Sequence, residues 1–104
     1  MHFCLDIYAI CKKFPQHELF ALTNQMERAA VSIPSNIAEG ASRSSDIEFA
    51  RFLEISIGSA FEIETQLLIA NKLEYISDQD YQLLYSQIDS IQKGLNKFIS
   101  TLRK

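Results

Sequence analysis

Residues 78–103 place Tyr81, Leu84, Ile88, Ile91, Leu95, Phe98 and Leu102 at alternating spacings of 3 and 4. That pattern is a heptad seam, so it specifies a long helix whose apolar face must meet other helices. Burying seven such side chains contributes roughly 10–20 kcal/mol as an upper figure. Ordering about 26 backbone residues costs at least as much, so the helix needs partners. Asp78 and Asp80 at its start, and Lys97, Arg103 and Lys104 at its end, complement the helix dipole.

Three further segments carry helical periodicity, divided at Phe14-Pro15, Gly40–Ser45 and Ser77-Asp78. Residues 2–13 align Phe3, Ile7, Ile10 and Phe14; Pro15 ends that helix and opens a loose turn through Leu22. Residues 23–41 start at Thr23, a candidate cap, and carry Leu22, Met26, Ala29, Ile33 and Ile37 as one stripe. Gly40 reads as its end signal. Pro34 predicts a kink, because it cannot donate to the carbonyl of Ala30; two abutting helices are the alternative. Residues 45–73 open with a capping box, Ser45 to Glu48. One stripe there is Phe49, Leu53, Ile57, Ala60 and Leu67, and a second is Phe52, Ile55, Ile63 and Ala70, with Phe61 and Leu68 widening the arc. A helix apolar around most of its circumference is buried on more than one side. The excess therefore points to an oligomer interface, and the competing reading is a broad core stripe.

Four amphipathic helices with short connections imply an all-α, antiparallel up-down-up-down four-helix bundle, one domain over 1–104 with a short first helix. Three Gly and two Pro leave little material for the many turns of a sandwich or barrel. At 1.5 Å per residue the third segment measures about 43 Å, the fourth about 39 Å and the first about 17 Å. The N-terminus is thus expected to be shortened, leaving apolar surface of the other helices uncovered.

The chemistry-bearing residues are sparse. His2 and His17 flank the first helix and read as surface residues. The other three segments contain no histidine, which excludes a bundle di-iron site built on Glu-x-x-His. No phosphate-binding, dinucleotide-binding, Cys-x-x-Cys or nucleophile-elbow motif occurs. No enzyme and no cofactor is expected. Cys4 and Cys11 stand about 10 Å apart on a helix, too far to pair, and read as small core residues. Reduced cysteines, no apolar run of about 18 residues and no secretory leader give a cytoplasmic, non-membrane expectation.

A polar stripe remains on the second segment: Gln25, Arg28, Ser32, Asn36 and Glu39. The third answers with Arg51, Ser59, Glu62 and Gln66. Folding back around residues 42–45 makes facing positions sum to roughly 87–90, setting Arg28 near Glu62 and Glu39 near Arg51 as inter-helix ion pairs. Residues 1–43 carry four basic and four acidic groups, and residues 44–104 six and nine, giving the net charge of −3. An acidic chain is a poor starting point for phosphate binding. Lys93, Lys97, Arg103 and Lys104 form the one local exception, and dipole complementation explains them without a ligand.

The stretch Phe14 to Gln66 resembles the four-helix-bundle family named for proteins encoded in 23S ribosomal RNA intervening sequences. The resemblance rests on Arg28-Ala29-Ala30 and the run Ser32-Ile33-Pro34-Ser35-Asn36-Ile37-Ala38-Glu39-Gly40. A second block adds Phe49, Phe52-Leu53, Gly58-Ser59-Ala60, Glu62 and Glu64-Thr65-Gln66-Leu67. Glu74-Tyr75-Ile76 stands at a Gly-Tyr-Ile-like position. The resemblance implies a left-handed bundle assembling as a ring-shaped homopentamer, with no established catalysis. It also implies further residues before the position of Phe3. A related bundle, the accessory protein of diversity-generating retroelements, works with a reverse transcriptase and nucleic acid through a basic surface, from which this acidic chain departs. In family terms Gly58-Ser59-Ala60 permit close helix approach, and Arg28, Glu39 and Glu62 fix register. The expected function is a self-associating scaffold or binding module for ribosomal RNA or an RNA-handling protein. The alternative is a small-molecule or metal site around Asn36, Glu39 and Glu62.

Overall fold

The computed structural model describes residues 2–104, which form four α-helices and, among the described residues, no strand. The helices are α1 (His2–Cys11), α2 (Asn24–Ala41), α3 (Asp46–Lys72) and α4 (Asp78–Leu102). Together they fill a body of 43 × 24 × 18 Å. The 27 residues of α3 set the long dimension, at about 40 Å, whereas the 10 residues of α1 reach about 15 Å.

The antiparallel order of neighbours follows from side chains that tie them. Ser32 and Ser59 share a 2.8 Å hydrogen bond, and Ser56 Oγ donates to the carbonyl of Ile33 at 2.9 Å. Further along, Gly40 meets Phe49 and Phe52, so residue numbers rise on α2 as they fall on α3. Between α3 and α4, Glu54 pairs with Arg103 and Glu64 with Gln92, again in opposite directions.

Local chemistry explains most helix ends. Ser45 Oγ accepts from the N–H of Glu48 at 3.2 Å, and Ser77 Oγ accepts from that of Asp80 at 3.1 Å. Thr23 is no cap. It is already helical, makes no capping bond and is buried, because a 3-10 turn (Gln16–Glu18) and a π-turn (Leu19–Thr23) run straight into α2. Those turns hand the first N–H groups of α2 carbonyls upstream, so no side-chain acceptor is required. Pro34 lies inside a single continuous α2 rather than between two abutting helices.

Gly40 is not a left-handed terminator either. It is buried within the last turn of α2, and a Cβ there would sit 2.8 Å from Phe52 Cβ and 2.9 Å from Phe49 Cδ1. The glycine is a contact point for α3. Among the described residues the left-handed one is Glu74, at φ 65°. The N–H of Tyr75 donates to Ala70 C=O at 2.8 Å and that of Glu74 to Asn71 C=O at 3.0 Å, which is a Schellman ending of α3. It aims Tyr75 at Phe14, with ring centroids 5.5 Å apart, and its hydroxyl donates to Glu18 at 2.7 Å. The α3–α4 turn is thereby fastened to the α1–α2 connection.

The core is thick where α1 is present. Ile7, Met26, Ile63, Leu67 and Ile88 are fully buried there. Past Phe3 it narrows to Ala50, Leu53, Leu95 and Ile99. At that end the α4 seam departs from its expected line: Ile99 is buried, while Phe98 is 41% exposed because no first helix covers it. No described helix is long and apolar enough to cross a membrane.

Candidate interaction surfaces

The expected polar network along α2 and α3 is largely hydroxyl chemistry. Register comes out close to the sequence arithmetic, yet neither expected ion pair closes. Glu39 pairs at 2.6 Å with Arg43, just past the end of its own helix, and Glu62 accepts from Gln66 at 3.0 Å. Arg28 and Arg51 are exposed and form no ion pair among the described residues. The reason is local. An i,i+4 partner is in reach without helix–helix approach, and exposed long side chains gain little from crossing a gap. What joins the helices by hydrogen bonds is Ser59 to Ser32 and the buried Ser56 to Ile33 C=O. Asn36 folds back onto Ser32, donating to its carbonyl at 2.8 Å and its Oγ at 2.9 Å. Gln25 stays exposed.

This arrangement gathers no ligand site. Glu62 stands across from residue 28 in the observed register, about 12 Å along α2 from Asn36. Asn36, Glu39 and Glu62 therefore do not converge, and each already has a protein partner. Among the described residues no group of three or more His, Cys, Asp or Glu is placed to hold a metal.

The C-terminal cations are partly spent. Lys93 pairs with Asp89 at 2.9 Å, and that hydrogen bond and charge hold its ammonium above its usual range. Arg103 pairs with Glu54 at 2.6 Å. Lys97 and Lys104 remain without an ion pair among the described residues.

The larger signal is apolar. The outward face of α3 leaves Ile47 70%, Ile55 51% and Phe61 48% exposed, and Leu68 and Ile69 are exposed further along. Gly58 lies on that face, with no atom within 4 Å of where a Cβ would be. It therefore does not bring helices of this chain together, contrary to the expected role of Gly58-Ser59-Ala60; Ala60 alone of the three is buried. The broad stripes are thus neither wholly core nor wholly surface. Leu53, Ala60, Ile63, Leu67 and Ala70 fill the core, Phe49, Phe52 and Ile57 are half-buried, and Ile55, Phe61 and Leu68 face out.

A second apolar surface lies where α1 stops. Ala30, Ile33, Pro34 and Ile37 of α2 face Gly94 and Phe98 of α4 across a cleft of about 280 Å³, with Phe3 and Cys4 at one end. It continues the track of α1 along the bundle. Pro34 contributes here in a second way, since it withholds the backbone donor from the Ala30 carbonyl on the cleft wall.

The two cysteines differ. Cys4 is half-buried at the cleft, whereas Cys11 is buried with its Sγ 3.7 Å from Met26 Sδ. Burial first, and the charge of Glu27 second, push the Cys11 thiol up to about 12. A thiol held protonated is a core residue rather than a nucleophile. His17 is exposed and lies 3.8 Å from Glu18 and 3.5 Å from Tyr75 Oη.

Sequence reasoning missed Ser56 and Glu74, and it expected uncovered apolar surface beyond the short first helix without naming the residues of the cleft. Ser56 could have been found, because it sits one heptad before Ile63 and two before Ala70 on an otherwise apolar stripe. Glu74 could have been found from the Gly-Tyr-Ile-like position it occupies.

No curated protein sequence matches the chain. Among solved structures it is similar to a 1.70 Å crystal structure of a protein of unknown function from the S23 ribosomal protein family of Bacteroides thetaiotaomicron VPI-5482. The two are 27% identical with a TM-score of 0.87, covering 94% of this chain and 92% of the other. Residues 1–97 match the family described as 23S rRNA-intervening sequence protein, and with that span matched over the bundle described above, the chain belongs to this family.

Proposed function

We propose that this protein is a non-enzymatic, self-associating helical scaffold that works in the cytoplasm with an RNA-associated protein partner. The observation that carries the reading is the outward face of α3, where Ile55 and Phe61 stand exposed in mid-helix and Ile47 in the first turn. Contiguous apolar surface of this kind is expensive in water and marks protein contacts. By resemblance the assembly is a ring of five copies, in a left-handed bundle.

The family description ties these proteins to 23S ribosomal RNA, which supports an RNA-related setting. Direct phosphate binding fits this chain poorly: net charge is −3, and Lys93 and Arg103 are already paired with carboxylates. The surface suits a protein that handles RNA better than the RNA itself. Light scattering tests self-association, with a mass well above 11.9 kDa expected and a monomer at that mass overturning it. Gel shifts with 23S rRNA fragments across a salt series test the partner. No complex at low salt is expected, and a complex that weakens as salt rises would move the reading to direct RNA binding.

A further inference from the structure

Where the end of α1 meets the start of α2, the chain forms a groove of about 350 Å³. Ligand clefts run from about 300 to 1,000 Å³, so this one suits a small molecule. Phe14, Pro15 and Leu19 give it apolar walls, and Lys12, Thr23 and Glu27 give it polar groups. Those three polar groups have no partner among the described residues. Thr23 is 6% exposed, yet its hydroxyl makes no hydrogen bond. Nor is that oxygen sealed in the core, for the sealed unpartnered side-chain atoms belong to Gln66 and Gln87. The π-turn Leu19–Thr23 places the hydroxyl there, and single π-turns recur at functional sites. Glu27 follows four residues later on the same side of the helical path, half-buried and without an ion pair. On the α1 side, Lys13 is held by Asp80 at 3.8 Å, whereas Lys12 forms no ion pair. Glu18, the one acid in the connection, is engaged by Tyr75. Leaving a buried hydroxyl and a half-buried carboxylate unpartnered costs free energy that a suitable ligand would recover.

We propose that this groove binds a free α-amino acid with an apolar side chain. Glu27 takes its ammonium, Lys12 its carboxylate, and Phe14 and Leu19 its side chain. The Thr23 hydroxyl accepts a second ammonium hydrogen beside Glu27. The choice of ligand follows from the charges. An amine alone would leave Lys12 without a partner, and a fatty acid would leave Glu27 without one. An α-amino acid carries both charges on one carbon, with an apolar group to bury, and charge-assisted hydrogen bonds are the strong ones. The Cys11 thiol also borders the groove, but burial keeps it protonated, so it does not react with what binds. This inference is independent of self-association, because every residue it uses belongs to one chain.

Titration calorimetry with three probes tests it: leucine, leucinamide, which lacks the carboxylate, and N-acetyl-leucine, which lacks the ammonium. Leucine is expected to bind saturably and about tenfold tighter than either analogue, since each analogue forfeits one charge-assisted contact. Glu27→Gln should erase the preference over N-acetyl-leucine, and Lys12→Met the preference over leucinamide. Thr23→Val should weaken leucine alone of the three properties read, leaving the fold unchanged by circular dichroism. Lys12 is exposed and Glu27→Gln keeps its shape, so these two variants stay folded even if the buried Thr23 does not tolerate valine. No saturable binding of leucine or of phenylalanine would overturn the proposal. So would leucine binding that Glu27→Gln leaves unchanged, or leucinamide binding as tightly as leucine, which would make this an amine site.

Discussion

Where α1 lies against the bundle, Ile7, Met26, Ile63, Leu67 and Ile88 are sealed among four helices. Beyond Phe3 the same α2, α3 and α4 continue as three, and Phe98 turns from core seam to cleft wall. Side-chain chemistry is alike in the two halves; only the fourth layer differs. A heptad pattern therefore states which residues are able to be buried, while burial itself depends on a neighbour at that height. The closed half also carries its own fastener, with Tyr75 on Phe14 and Glu18. The open half ends in the tight turn-end contact of Gly40 with Phe49 and Phe52.

Truncations should separate the halves most sharply. Leu67→Ala, in the closed half, is expected to cost about 2–5 kcal/mol in urea denaturation. Leu95→Ala should cost clearly less, because its site borders the cleft and can relax. Equal losses would mean that the open half is packed as firmly as the closed one.

Alkaline pH should strain the closed half through Cys11. The folded-state value of Cys11 is raised from 9.0 to about 12, so its stabilising effect is complete below pH 9 and is lost as pH rises through about 12. Cys11→Ala should flatten the decline in stability over that window. An unchanged slope would contradict a buried, protonated thiol.

Glycine contacts sharpen the same division. Gly40→Ala should destabilise by about 1–3 kcal/mol, since the added carbon meets Phe52 Cβ at 2.8 Å. At the closed end, Glu74→Gly should raise stability by about 1 kcal/mol by relieving a left-handed backbone. A loss there, read as a lower melting temperature, would show that the Glu74 side chain stabilises by a contact of its own.

The smallest effects concern the α2–α3 seam. Ser56→Ala should cost about 1 kcal/mol, because it leaves the buried Ile33 carbonyl without its hydroxyl partner. Glu39→Gln should cost less than about 0.5 kcal/mol, since its pairing with Arg43 is exposed. A double-mutant cycle of Arg28 with Glu62 should give coupling near zero.

Much of the fold is written locally. The capping box at Ser45, the break at Pro15, the heptads of α4 and the fold-back sum for α2 and α3 each depend on a few neighbouring residues. The site was far less legible. Opposite charges at a suitable register suggested ion pairs, yet Glu39 and Glu62 found partners four residues along the chain. Gly40 looked like a terminator because glycine usually ends helices; its actual constraint is two aromatic rings from α3. Gly58 looked like a packing residue, and its surroundings are empty.

By itself the sequence determined an all-α chain, the number of its helices and the side of each that can be buried. Those properties follow from periodicity and short-range backbone chemistry. The tertiary structure alone decided which apolar residues stay exposed on α3, which residues wall the cleft beyond α1, and that hydroxyls rather than charges join α2 to α3. Burial and pairing depend on what stands opposite at a given height. A 15 Å helix beside one of about 40 Å leaves apolar surface uncovered, as the segment lengths foretell; that this surface is a trough between α2 and α4 depends on how the longer helices pack.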